Sequence, residues 1–246
     1  GKLYSSADLA YYNQGDKFPK LIVTNINTSI DSVLLPTMAS SQDDSARVKN
    51  MTRRAIKTST YIMAPLMIGL AFCSNTIVEL VLTEKWLPCV PFLQIFCITY
   101  MFQPVHTANL NAIKAMGKSD IFLKLEIIKK IVGMSLLLST MWFGVMAMAY
   151  SLLVSCVLSQ IINSWPNKRL LGYGYLEQLR DFMPGVILAV VMGICVYFIG
   201  YINLPNIIVL IIQVIVGATI YIVMSIVFKL ESFLYLWNMV KTYLKK

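Results

Sequence analysis

Charge is scarce in this chain: 13% of its 246 residues are charged, against about 25% in an ordinary soluble domain. Histidine occurs once. There is no GxGxxG, no phosphate-binding P-loop and no GxSxG. The common dinucleotide, nucleotide and acyl-transfer chemistries therefore have no foothold, and enzymatic function is not expected. Cys73, Cys89, Cys97, Cys156 and Cys195 are scattered. Their spacing suits neither a metal centre nor a disulfide framework, and all but Cys89 lie in apolar runs, where cysteine acts as a small hydrophobe. No metal and no cofactor are expected. The first residues lack a signal-peptide pattern, and a start at Gly1 rather than methionine suggests a segment of a longer polypeptide.

What is abundant is apolar. Hydrophobic residues make up 57% of the chain, and the mean hydropathy is +0.68. Val145 to Ile162, Met183 to Ile202 and Ile207 to Phe228 contain no charge. A helix needs about 20 such residues to cross a bilayer. A soluble core has no use for three of them, because soluble helices keep a polar face. The runs also lack the alternation of a membrane barrel. The expected class is an all-α integral membrane protein with about seven transmembrane helices, at 18–40, 58–82, 90–112, 121–142, 145–164, 183–202 and 206–228. Pro65 and Pro104 interrupt the second and third, which membrane helices tolerate. The fourth opens with Lys124, Glu126, Lys129 and Lys130, which must snorkel. The first is the most polar, with Asn25, Asn27 and Asp31.

Charge supports this alternation. Seventeen of the 21 basic residues fall in 41–57, 113–130, 164–182 and the stretch after 228. Positive loops mark the cytoplasmic side, so the expected topology is a multi-pass plasma-membrane protein with this segment's N-terminus outside and its C-terminus cytoplasmic. The net charge of +9 then implies attraction to anionic lipid. The basic residues form no single patch, so no nucleic-acid partner is expected. Trp86, Trp142, Trp165 and Trp237 fall near span ends, where their amphipathic rings belong. After Phe228 the apolar residues keep helical spacing with lysines opposite, as in an amphipathic helix lying on a membrane surface.

Ionisable groups at membrane depth are expensive and usually face a cavity or a partner. Asp31 shares helical spacing with Thr24, Asn27 and Thr28. Either this stripe lines a watery lumen, or Asn and Thr on a neighbouring helix hold the acid, or the segment is not a full span. In the third span Gln103, His106, Thr107 and Lys114 form a second stripe beside Pro104. They supply either a lining that meets a phosphate, or an interfacial histidine and a snorkelling lysine. Arg53, Arg54 and Lys57, with Lys124, Lys129 and Lys130, sit at cytoplasmic span ends. They set topology or recruit a pyrophosphate headgroup.

Residues 3–39, LYSSADLAYYNQGDKFPKLIVTNINTSIDSVLLPTMA, resemble the stretch after the seventh helix of bacterial polysaccharide flippases. These share a superfamily with the multidrug and toxin extruders. Residues 85–130 are similar too, with a tryptophan-opened helix and then Ala115, Gly117, Lys118 and Asp120 in the family's turn. The link Phe143-Gly144-Val145 resembles the family's tight glycine turn. The resemblance implies the second lobe of a two-lobe transporter built like the multidrug and toxin extruders. Residues 1–17 would be the end of a preceding helix and an outer turn, 18–164 a five-helix bundle, 165–182 a cytoplasmic loop, 183–228 two additional helices and 229–246 an amphipathic tail. The implied activity is flipping of undecaprenyl-diphosphate-linked oligosaccharide for capsule, O-antigen or exopolysaccharide synthesis. The alternative is a cation-coupled drug exporter on the same fold. The implied partners are the lipid-linked oligosaccharide, anionic lipid and an N-terminal lobe absent from this sequence, which would hold most of the cationic cavity.

Overall fold

The computed structural model describes residues 4–202 and 204–244. Among them the only regular structure is helical: α1 (Ser6–Ala39), α2 (Ser45–Phe72), α3 (Ser74–Leu82), a 3₁₀ turn (Glu84–Cys89), α4 (Val90–Met101), α5 (Gln103–Ala115), α6 (Ser119–Thr140), α7 (Val145–Leu171), α8 (Tyr175–Ile199), α9 (Asn206–Val227) and α10 (Glu231–Leu244).

Local chemistry sets the ends. Ser5 caps α1 by accepting the Asp8 N–H, and its own hydroxyl donates to the Asp8 carboxylate at 2.7 Å. Asp44 accepts the Arg47 N–H at 2.9 Å and so opens α2. Proline at the first turn of a helix loses no hydrogen bond, which is why α5 restarts around Pro104 after a break at Phe102. The links after α5 and α6 need left-handed backbone, and Gly117 (φ 70°) and Gly144 (φ 108°) supply it.

Joined end to end, these elements make seven rods and a tail. The rods are α1, α2 with α3, the 3₁₀ turn with α4 and α5, then α6, α7, α8 and α9. Five of the helical stretches are long and apolar enough to cross a membrane: 45–72, 84–115, 145–171, 175–199 and 206–227. The two others, α1 and α6, carry the polar and basic residues noted above.

Contact registers give the direction of the rods. On α1, Asp16 accepts from Tyr100 at 2.6 Å and Asp31 from Asn111 at 2.6 Å, so α1 and α4–α5 run the same way. Cys156 bonds Thr99, and Asn167 bonds Asn109, so α7 runs with them. Arg53 meets Asp181, Tyr61 lies against Gly185, and Ile68 against Gly193, so α2 and α8 also run in parallel. Gly185 faces Tyr221 while Val196 faces Gly217, which makes α9 antiparallel to α8. The turns at 40–44, 172–174 and 228–230 therefore gather at one end, called here the basic end. Alternation along the chain is thus a property of the packing as well as of the charge pattern.

α2 is the central rod. It buries Val48, Ile56, Met63, Ala64 and Met67 completely. The outer rods do the reverse. α6 buries only Leu125 and exposes Ile131, Met134 and Leu138, while α9 exposes Ile211, Val214 and Ile215. A protein surrounded by water rarely presents such continuous apolar faces; hydrocarbon is their natural solvent. The molecule is a multi-pass membrane protein.

Two stretches differ from expectation. No turn interrupts residues 6–17; α1 is one helix of 34 residues from Ser6 onward, so the expected end of a preceding helix falls mostly on residues 1–3, outside the described residues. The stretch 165–182 is not a loop. α7 continues to Leu171 and α8 starts at Tyr175, leaving only 172–174 between them. The tail is helical over Glu231–Leu244, with Lys245 and Lys246 outside the described residues.

Candidate functional site

α1 presents a polar face that nothing among the described residues covers. Thr24, Asn25, Thr28, Ser29 and Asp31 are all exposed. Most satisfy themselves: Thr28 donates to the Thr24 carbonyl at 2.8 Å, Ser29 to Asn25 at 2.9 Å, and the Asn25 amide to Leu21 at 3.0 Å. Hydroxyls bonded back to their own helix can lie at membrane depth without another partner. Asp31 is held by the amide of Asn111, which is 1% exposed. A neighbouring amide thus holds Asp31, as one of the alternatives has it, and the acid is still exposed. Asn27, one turn before it, is half-buried, and its Oδ1 has no partner among the described residues. Beside this face a cavity of about 720 Å³ opens between α1, α2 and α10, with Asn25, Ser29, Arg54 and Thr58 among its polar lining.

The second expected stripe does not stay together. His106 is 7% exposed and lies inside the α5–α7 contact. Its Nδ1 is 3.0 Å from the Asn163 amide nitrogen and its Nε2 is 3.5 Å from Cys156 Sγ. It is a packed, bonded core histidine, enclosed by its neighbours and away from the α1 face. Gln103 and Thr107 are half-buried. Lys114 is exposed at the basic end, with its ammonium 4.5 Å from the centre of the Phe122 ring.

The basic clusters also separate. Asp181, 5% exposed at its side chain, accepts Arg53 Nε at 2.7 Å and Nη2 at 2.8 Å. It also lies 3.3 Å from the Lys57 ammonium and accepts the Tyr173 hydroxyl at 2.9 Å. Lys57 donates further to Glu231 at 2.6 Å, and Ser232 donates to the Lys57 carbonyl at 3.2 Å. The Lys57 hydrogen bond and charge hold the Glu231 carboxyl below the usual glutamate range. Arg54 stacks 4.7 Å from the centre of the Tyr235 ring. Together these contacts fasten α10 to α2 and α8. On α6, Lys129 pairs with Glu126 at 2.5 Å, while Lys124 and Lys130 are exposed. The α6 lysines belong to a different face from the Arg53 cluster.

A buried amide network joins α5, α7 and α8. Asn109, Ser164, Asn167 and Gln178 are each 0% exposed. Asn109 donates to Gln178 Oε1 at 2.8 Å and accepts from Gln178 Nε2 at 2.9 Å. Asn167 donates to Asn109 Oδ1 at 2.6 Å, and Ser164 to Gln178 Oε1 at 2.9 Å. Amides bonded reciprocally in this way fix helix orientation inside an apolar bundle. Nothing in the linear sequence connects position 109 to 178. The one available signal was the density of amides within a span, with Asn109 and Asn111 beside His106. Among the described residues no three His, Cys, Asp or Glu side chains converge as metal ligands.

An all-helical bundle with apolar outer rods, an exposed polar helix face and a basic end has the architecture of a multi-pass membrane protein. The fold is similar to that of the lipid II flippase MurJ in its inward closed conformation, with a TM-score of 0.76 and 16% identity, over 92% of this chain and 48% of that one. A family model described as "Polysaccharide biosynthesis protein" matches residues 1–91. The chain is 26% identical over 208 residues to an uncharacterized membrane protein in the cps region of Klebsiella pneumoniae, covering 81% of this chain and 42% of that protein. It is 26% identical over 181 residues to the lipopolysaccharide biosynthesis protein WzxC of Escherichia coli K12 (69% and 36% covered), and 21% identical over 198 residues to the teichuronic acid biosynthesis protein TuaB of Bacillus subtilis 168 (80% and 41% covered). The chain is thus similar to proteins of lipopolysaccharide and teichuronic acid biosynthesis, in line with the resemblance noted in its sequence. It spans less than half the length of the relatives it matches.

Proposed function

We propose that this chain forms one lobe of a transporter that flips undecaprenyl-diphosphate-linked oligosaccharide from the cytoplasmic to the outer leaflet of the plasma membrane. The observation that carries the reading is the uncovered polar face of α1, with Asp31 fixed on it, in a fold shared with a lipid flippase. Sugar and diphosphate cannot enter hydrocarbon, so they need a polar wall, while the polyprenyl tail stays in lipid. A second lobe facing α1 would complete a passage, and rocking of the lobes would open it to one leaflet at a time. Asp31 and Asn27 would contact sugar hydroxyls. Gln103 and Lys114 lie farther along the third rod, toward which the diphosphate would enter. The basic end would be cytoplasmic by its excess of lysine and arginine.

The test is Asp31→Asn in the full-length protein, scored by surface-polysaccharide export. Export should fall severalfold with protein level unchanged; normal export removes Asp31 from the pathway. For orientation, Ser45→Cys and Lys168→Cys should resist an impermeant thiol reagent in intact cells, and ready labelling from outside would invert the topology.

A further inference from the structure

Where α2, α8 and the start of α10 meet, the basic end encloses a cavity of about 590 Å³. Eight of its lining residues are charged. Lys49, Arg53, Lys57, Arg180 and Lys229 are cationic, while Glu177, Asp181 and Glu231 are anionic. The cavity therefore lacks two negative charges. The three acids are not equivalent. Asp181 is 5% exposed and saturated by Arg53, Lys57 and Tyr173. It holds the two cations in place and leaves their other N–H groups to the cavity. Glu231 is 80% exposed at its side chain and is tied only through Lys57. Such a pair is worth little in water and yields to a stronger anion. Arg180 and Lys229 are exposed and have no carboxylate within 4 Å among the described residues.

We propose that this cavity is an anion site for a phosphorylated headgroup carrying about two negative charges, and that Glu231 occupies its Lys57 subsite until the headgroup displaces it. Arginine and lysine fixed around a concave surface are suited to phosphate oxygens, the guanidinium by its planar fork and the ammonium as a point charge. Glu231 opens α10, so displacing it from Lys57 removes one of the contacts fastening that helix to α2. Occupation of the site and docking of α10 are thereby coupled. The site rests on the flippase reading only for its place at the cytoplasmic surface; its chemistry stands on the charges alone.

The test uses the protein in nanodiscs of neutral phosphatidylcholine, titrated calorimetrically with inorganic pyrophosphate. The double variant Arg180→Gln/Lys229→Gln removes the two cations that hold no carboxylate, and binding should weaken about 10-fold. Glu231→Gln removes the competitor, and binding should strengthen about 3-fold. No pyrophosphate binding, or the same affinity in all three proteins, overturns the site. Discs containing phosphatidic acid, compared with discs charge-matched with phosphatidylserine, identify the source. Selective loss of pyrophosphate binding in phosphatidic acid assigns the site to a lipid-borne phosphate. Equal binding in the two discs assigns it to a soluble one, and both results keep the site. Flipping in vesicles is scored separately. Flipping without pyrophosphate binding sinks the site alone; binding without flipping sinks the flippase reading alone.

Discussion

Asp181→Asn should loosen the basic end of the molecule while leaving its shape intact. The carboxylate takes two bonds from Arg53 and one from Tyr173, and lies 3.3 Å from Lys57. Asparagine keeps the volume, loses the charge and turns one acceptor into a donor aimed at cations. Removing one partner of a fully buried pair costs about 3–5 kcal/mol. Here the carboxylate is buried, but Arg53 is 50% and Lys57 19% exposed, so water recovers part of that, and a loss of about 2 kcal/mol is the reasonable figure. For a domain of this size that corresponds to a fall of about 4–8 °C in unfolding temperature. The assay is thermal unfolding of the detergent-purified protein, followed by near-ultraviolet circular dichroism. Arg53→Gln and the double variant complete a mutant cycle, with an expected coupling of about 1–2 kcal/mol. A shift below about 1 °C, or strictly additive losses, would refute the claim that this carboxylate organises the cluster.

The remaining predictions concern packing, the amide network and pH. A Cβ at Gly193 would lie 2.6 Å from Ile68 Cγ2 and from the Phe72 ring, so Gly193→Ala should cost about 1–3 kcal/mol, whereas Gly69→Ala, whose Cβ meets only Met192 at 3.8 Å, should cost nothing; equal losses in thermal unfolding would contradict the close α2–α8 contact. Asn109→Leu strands polar atoms of Gln178 and Asn167, for a loss of about 2 kcal/mol, and an unfolding temperature as high as the parent's would show the network to be dispensable. Glu231 has a lowered pKa in the folded protein, so its contact with Lys57 is present above the usual glutamate range and is lost as pH falls through the lowered value. Proteolysis of α10 should therefore stay slow at pH 6 and quicken only well below the ordinary carboxylate pKa; acceleration already between pH 7 and 6 would exclude Glu231 as the cause.

Hydropathy told where lipid must be crossed, and it did so well for α7, α8 and α9. It did not mark where helices end. Residues 165–171 and 175–182 carry charge and look like a loop, yet they are helical extensions beyond the apolar zone. The same blindness hid the start of α1, because residues 6–17 are polar but well capped by Ser5. Charge clustering anticipated the meeting of 41–57 with 164–182, as Arg53 with Asp181 shows. It could not reveal that the acids would partly neutralise the bases, since Asp181 and Glu231 lie 50 residues apart in sequence. Thr24, Thr28 and Asp31 share an exposed face because one uninterrupted helix carries all three, while Asn27 of the same stripe is half-buried. Helical spacing failed for Gln103, His106 and Lys114, because spacing on one helix says nothing about which face a neighbour covers. α7 covers the His106 side.

The parallel pairing of α2 and α8 has a mechanical consequence. The two rods are pinned near one tip by Arg53 and Asp181, at mid-height where Tyr61 meets Gly185, and toward the other tip where Ile68 and Phe72 press on Gly193. Rods fixed at three heights act as a splint and cannot pivot against each other. α8, and α9 behind it, must therefore travel as cargo with α2, so any flexing axis of the bundle falls outside that trio, on the side of α1.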